Sequence, residues 1–144
     1  MSVLQISVFL QSQPGHLQRV LEAFEAAAIN VRGFSAADTG DYGVVRFVLD
    51  QPQLGFDVLK KAGFAVAASE LLCVHLPDKP GELARVLGII AGAGINVLYA
   101  YSLISTIIAL HVDNIAQAEA ALQHLPVQLV SQAEIAASVP EATA

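Results

Sequence analysis

The stretch PGHLQRVLEAFEAAAINV at residues 14–31 returns as PGELARVLGIIAGAGINV at residues 80–97. The copies agree at ten of eighteen positions: Pro14/Pro80, Gly15/Gly81, Leu17/Leu83, Arg19/Arg85, Val20/Val86, Leu21/Leu87, Ala27/Ala93, Ile29/Ile95, Asn30/Asn96 and Val31/Val97. Residue frequencies of several percent would match roughly one position by chance. The duplication constrains the fold more than any other feature, because each copy must build the same supersecondary unit.

Each copy reads strand, helix, strand, strand, helix, strand. Val3–Leu10 alternates Leu4, Ile6, Val8 and Leu10 with Gln5, Ser7 and Phe9, the period of a half-buried strand. Leu17, Val20, Leu21, Phe24 and Ala28 then follow the spacing of one helix face, repeated by Leu83, Val86, Leu87, Ile90 and Gly94. Strands are expected over Ile29–Ala36 and Tyr42–Asp50, joined through Asp38-Thr39-Gly40-Asp41. Pro52 and Gly63 bracket a short helix, and Phe64–Ala68 closes the first copy. The second runs through Glu70–Leu76, Gly81–Ala93, Ile95–Ile104, Thr106–Val112, Asn114–His124 and Val127–Val130, with Asn114 placed to cap its helix. The expected class is α+β. It comprises two ferredoxin-like βαββαβ units, residues 1–68 and 69–144, each a four-stranded antiparallel sheet with two helices on one face. Ile6, Val8 and Leu10, and Leu72, Val74 and Leu76, should lie under the helices. Units this small should pack together.

Composition limits the function classes. Of 144 residues, 55% are hydrophobic and 14% charged, which supplies a core and disfavours disorder. A net charge of −6, with seven Lys and Arg spread singly, disfavours a nucleic-acid partner. The longest apolar run, Val86–Leu98, is too short for a bilayer and contains Gly88, Gly92 and Gly94. No basic, cleavable leader is visible, and the single cysteine, Cys73, fits a reducing compartment. A cytoplasmic protein with no membrane partner is expected.

A strand, then x-x-Pro-Gly-x-Leu opening a helix, then Gly/Ala-Ile-Asn-Val opening the next strand, resembles the ACT domain, a small-molecule-binding module of amino-acid metabolism. The matching residues are Gln13-Pro14-Gly15-His16-Leu17 with Ile29-Asn30-Val31, and Asp78-Lys79-Pro80-Gly81-Glu82-Leu83 with Gly94-Ile95-Asn96-Val97. The resemblance runs from residue 2 to about residue 132, leaves no catalytic domain over, and is similar to stand-alone tandem ACT proteins of bacteria. It implies an amino-acid-binding sensor or regulatory protein, not an enzyme, with the ligand between two units. The loop of one unit would face the second strand of the other. Tyr99, Tyr101 and Ser102 would then face the first loop, and Ser35, Asp38 and Thr39 the second.

The residues themselves can do this chemistry. Proline suits a first helical turn, and glycine admits a ligand close to the backbone. The N–H groups of residues 15–17 and 81–83 carry the positive end of a helix dipole, ready for a carboxylate. Asp78, Glu82, Asp38 or Asp41 could accept from an ammonium, and Asn30 and Asn96 could donate and accept. Plainer readings stand beside these: Pro-Gly as a turn, Asn30 and Asn96 as caps, Tyr99 and Tyr101 as interface packing, and His16, Arg19 and Arg85 as solvated surface.

The copies also differ. From the third strand on the offset falls from 66 to 63, so Leu49-Asp50 matches Val112-Asp113 and ADTGDYG has no counterpart. One main composite site is therefore expected, pairing the Asp78–Leu83 loop with the Asp38–Asp41 hairpin. Cys73, His75 and His111 share a strand face but are read as packing, with no metal and no cofactor. Neither loop holds an arginine for acyl-phosphate chemistry, and no nucleophile or phosphate-loop motif occurs. The mixed face of Phe9, Val48, Cys73 and Ala109 suggests a homodimer. The alternative function is a regulatory subunit for an amino-acid biosynthetic enzyme, resembling the small subunit of acetolactate synthase.

Overall fold

The computed structural model describes residues 1–38 and 40–137. The chain divides into two compact units. The first holds Leu4–Ser69, and the second holds Met1–Val3 with the described residues from Glu70 on.

The first unit runs β1 (Val3–Gln11), α1 (His16–Ala26), β2 (Val31–Asp38), β3 (Tyr42–Leu49), α2 (Pro52–Lys61) and the start of β4 (Ala65–His75). Its strand order is β2-β3-β1-β4. The second continues from β4 through α3 (Glu82–Gly92), β5 (Val97–Ser102), β6 (Ile107–Val112), α4 (Ile115–Gln123) and β7 (Gln128–Leu129), in the order β7-β4-β6-β5. The expected strands 64–68 and 70–76 are one strand, because no glycine or proline between Ala65 and His75 breaks the extended chain. A further helix, α5 (Gln132–Ala137), was not anticipated. It opens with a reciprocal cap: Ser131 Oγ accepts from the Glu134 N–H at 3.2 Å, and Glu134 Oε1 accepts from the Ser131 hydroxyl at 3.1 Å.

Parity decides which side chains form each core. Ile6, Val8 and Leu10 of β1 and Val45, Phe47 and Leu49 of β3 pack with Val20 and Phe24 of α1 and Leu59 of α2. Leu72, Val74 and Leu76 do the same with Val86, Ile90, Leu110, Ala118 and Leu122. Phe24 meets Phe47 edge to face, centroids 5.1 Å apart. Leu21, counted on the apolar face, is 39% exposed. Ala28 lies beyond the end of α1 at φ 55°, where the second unit has Gly94 at φ 75°. There the Ile29 N–H donates to Phe24 O at 2.9 Å and closes the helix end.

The two units fill one contact differently. A Cβ on Gly55 of α2 would lie 2.4 Å from Leu49 Cδ1. At the equivalent positions the second unit has Ala118 and Val112, a larger helix residue against a smaller strand residue. Gly55→Ala should therefore destabilise by about 1–3 kcal/mol despite its better helix propensity. Adding Leu49→Val should recover part of that loss, and a urea-melt double-mutant cycle measures the coupling.

Three of the four residues named for a dimer face, Val48, Cys73 and Ala109, are fully buried within one chain, which corrects that expectation. Phe9 alone stays half-exposed. Burial also pushes the Cys73 thiol up to about 12. An alkylating agent at neutral pH should leave Cys73 unmodified in the native protein and label it on denaturation, a mass-spectrometric readout of unfolding.

Candidate functional site

In the first unit β1 ends at Gln11, and the chain turns through Ser12–Gly15 into α1. Gly15 takes φ 86°, and its N-cap position carries no side-chain hydrogen bond. Nothing lies within 4 Å of a Cβ built there, so glycine is required by conformation and not by space. The His16 N–H, one of the three expected donors, already bonds Gln13 O at 3.4 Å. Leu17 and Gln18 are the next amides of a first turn for which the helix supplies no carbonyl.

Beside this turn lies a cavity of about 330 Å³, lined by Leu10–Pro14, His16, Leu17, Ala36, Ala37, Asp38, Gly43 and Val45. Asp38 ends β2 on its rim. Its Oδ2 accepts from the Ser12 hydroxyl at 2.8 Å, and its Oδ1 from the Gly40 N–H at 2.8 Å. The Ser12 bond foremost, then the Gly40 bond, holds this carboxyl below its ordinary 3.8. Asp41 sits beside the same loop, its carbonyl accepting from the Ser12 N–H at 3.1 Å. The His16 ring is fixed by its Nδ1–H donating to Gln11 O at 2.9 Å, since a carbonyl can only accept.

The second unit repeats the arrangement at smaller size. Gly81 takes φ 89°, Glu82 N–H bonds Lys79 O at 3.4 Å, and a cavity of about 220 Å³ is lined by Leu76–Lys79, Glu82, Leu83, Ser102, Thr106 and Ile108. Leu10/Leu76, Ser12/Asp78, His16/Glu82, Leu17/Leu83 and Ala36/Ser102 occupy matching places. Glu82 is not free for a ligand ammonium: its Oε2 accepts from Arg85 Nη2 at 2.7 Å and from Nε at 3.2 Å. The shortened hairpin turns with Ser105 and Thr106 both at positive φ, 53° and 57°, which neither residue favours. Thr106 anchors it by donating from Oγ1 to Leu76 O at 2.8 Å.

Within the first unit, Gly15, His16, Leu17, Asp38 and Asp41 come together. Within the second, Asp78, Lys79, Pro80, Gly81, Glu82, Leu83 and Ser102 do. Thr39 lies outside the described residues. Ser35 pairs with Arg46 while its neighbour Phe34 pairs with helix-facing Phe47, so Ser35 points to the opposite face. Tyr99 and Tyr101 likewise stand on the face away from the helices. They stack on each other at 6.5 Å, and Tyr99 stacks on His111 at 4.6 Å. Asn30 and Asn96 lie at the far end of the sheet, roughly 25 Å along a strand from the cavity by the rise of eight residues. There their backbone N–H groups bond the Asp50 and Asp113 carboxylates at 2.8 and 3.2 Å. Among the described residues, no group of three His, Cys, Asp or Glu is arranged to hold a metal ion. Ser12, Ala36 and Thr106 line cavities that sequence reading did not assign to them.

A duplicated βαββαβ unit, with a Pro-Gly helix start beside a cavity in each copy, is also what comparison with known proteins returns. A family model described as the ACT domain pair matches residues 1–139. The chain belongs to the ACT domain pair family. ACT domains are regulatory, ligand-binding domains rather than catalytic ones. This ACT pair is similar to the crystal structure of protein BT0572 from Bacteroides thetaiotaomicron, with a TM-score of 0.90 and 27% identity over 94% of this chain and 96% of that one. It shares its fold with the ligand-free regulatory subunit of aspartate kinase from Thermus thermophilus, with a TM-score of 0.64 and 20% identity over 85% and 90%. No curated protein sequence matches it. Among the described residues, no helix of the ACT pair is long and apolar enough to cross a membrane.

Proposed function

We propose that this ACT pair is a cytoplasmic amino-acid sensor, residues 1–68 and 69–144 each acting as one ACT module, and that the first unit's cavity holds the ligand. The observation that carries this reading is one cavity presenting two opposite charges of the right kind. Asp38 is kept ionised on the rim, and the uncapped N-terminus of α1 opens beside it. An amino acid brings an ammonium for Asp38 and a carboxylate for the amides of Leu17 and Gln18. Its side chain then lies against Leu10, Ala36 and Val45. Asp38 has lone pairs to spare, since Ser12 and Gly40 use only two. A volume of about 330 Å³ fits a small ligand. The second cavity is smaller, and of the two acids that line it, Asp78 and Glu82, Glu82 is tied to Arg85, so weaker binding is expected there.

Isothermal titration with each of the twenty amino acids tests this. Saturable binding of at least one is expected, and Asp38→Asn should weaken it about tenfold or more while keeping an acceptor for Gly40. Heat from none of the twenty would defeat the proposal. The pH profile carries a sign. A carboxyl held low keeps its charge as pH falls through 3.8 and loses it only below, so binding should persist down to that range. Loss of binding well above 3.8 would point to another group.

A second reading is favoured by the regulatory subunit of aspartate kinase that shares this fold. Here the chain would be a regulatory subunit for an amino-acid biosynthetic enzyme such as acetolactate synthase. A stable enzyme partner recovered with the tagged protein from its native cell supports it. Self-association into a homodimer belongs to the main reading and draws on exposed Phe34 and Leu98 of the outer strands β2 and β5. Sedimentation gives the mass.

A further inference from the structure

Arg19 and Arg85 are matched residues of the repeat, each one turn into its helix, and they meet different surroundings. Arg85 is paired. It forms the ion pair with Glu82, and its Nη2 also donates to Pro126 O at 3.3 Å. In the first unit Glu82 is replaced by His16 and Pro126 by Gly63. Arg19 instead lies over the Phe64 ring, 5.8 Å from its centroid. Among the described residues, no acidic side chain pairs with its guanidinium.

Arg19 stands on a second cavity of about 320 Å³. Phe9, Gln11, His16, Arg19, Gly63 and Phe64 are among its lining residues, and no Asp or Glu is. Val58, Leu59 and Lys60 already accept from the N–H groups of Ala62, Phe64 and Gly63 at 3.0–3.1 Å. The second unit has the equivalent hollow, lined by His75, Pro77 and Leu125–Gln128, but there Arg85 is neutralised. Both copies carry the arginine, and only the second carries the acid that pairs with it.

A guanidinium with unclaimed donors over an aromatic ring, in an acid-free hollow, is suited to planar or tetrahedral oxyanions. We infer that the Arg19 hollow of the first unit is a second small-molecule site. It would take the carboxylate or phosphate group of an organic anion, with Phe9 and Phe64 against its apolar part. Leu10, Gln11 and His16 line both this hollow and the Asp38 cavity, so the sites are neighbours, but the inference does not rest on the amino-acid reading.

Two separate titrations of the ¹⁵N-labelled full chain test it, one with inorganic phosphate and one with benzoate. Saturable shifts of the Gly63, Phe64 and Ala65 amides are expected with at least one probe, and the probe that acts names the anion. Arg19→Gln should weaken the response about tenfold or more, and Arg19→Lys should weaken it less. Unchanged amide dispersion elsewhere shows that the variants are folded. The inference is overturned if neither probe saturates, or if Arg19→Gln responds like the parent chain.

Discussion

Phe24→Ala should lower stability by about 3–5 kcal/mol in urea unfolding followed by tryptophan-independent circular dichroism. Phe24 is fully buried at the centre of the first core, edge-on to Phe47 at 5.1 Å, so truncation removes both transfer energy and an aromatic contact. The surrounding Val20, Leu49 and Leu59 are held by sheet and helix backbone, which limits collapse around the void. Leu21→Ala, three residues earlier on the same helix, should cost about 1 kcal/mol or less, because that side chain is already well exposed. Such a loss is a large share of the stability of an ordinary domain. Equal effects at the two positions would contradict the assigned helix face.

The second large effect is the stabilisation expected from the ligand. An amino acid that binds only the folded chain, present at 100 times its dissociation constant, should add about 2.7 kcal/mol and raise the melting temperature by several degrees. The same concentration should do little for Asp38→Asn, whose ligand-free melting temperature should stay near that of the parent. Glu82→Gln is the complementary variant. It breaks the ion pair with Arg85 in the second unit and should leave the ligand-induced shift intact. A shift that follows Glu82 and ignores Asp38 would move the binding site to the second unit.

The repeat made most of the fold legible, since it specified a helix start and a strand entry twice over. Alternation along β1 and β4 correctly assigned Ile6, Val8 and Leu10, and Leu72, Val74 and Leu76, to the helix side. The joining of two strands into β4 was harder, because a polar Ser69-Glu70 pair reads locally as a break although nothing in it opposes an extended chain. Helix α5 had a signal in Ser131-x-x-Glu134, a reciprocal cap, but its six residues are too few for a clear apolar period.

The site was less legible for a physical reason. Ser12 and Asp38 are 26 residues apart and meet only because β2, β3 and β1 share one register. A register cannot be read from either strand separately. Glu82 looked like an available acid, but its pairing with Arg85, three residues on, competes with any ligand. Asn30 and Asn96 looked functional because they are repeated, yet their backbones are joined to Asp50 and Asp113 at the far sheet end. What repeats in this chain is architecture as well as chemistry.

The most direct measurement is a crystal structure of the protein grown with the amino acid that binds it best. Its ammonium should lie within hydrogen-bond distance of Asp38, and its carboxylate should meet the Leu17 and Gln18 amides. A ligand bound elsewhere, with the Asp38 cavity holding only water, would contradict the proposed sensor site.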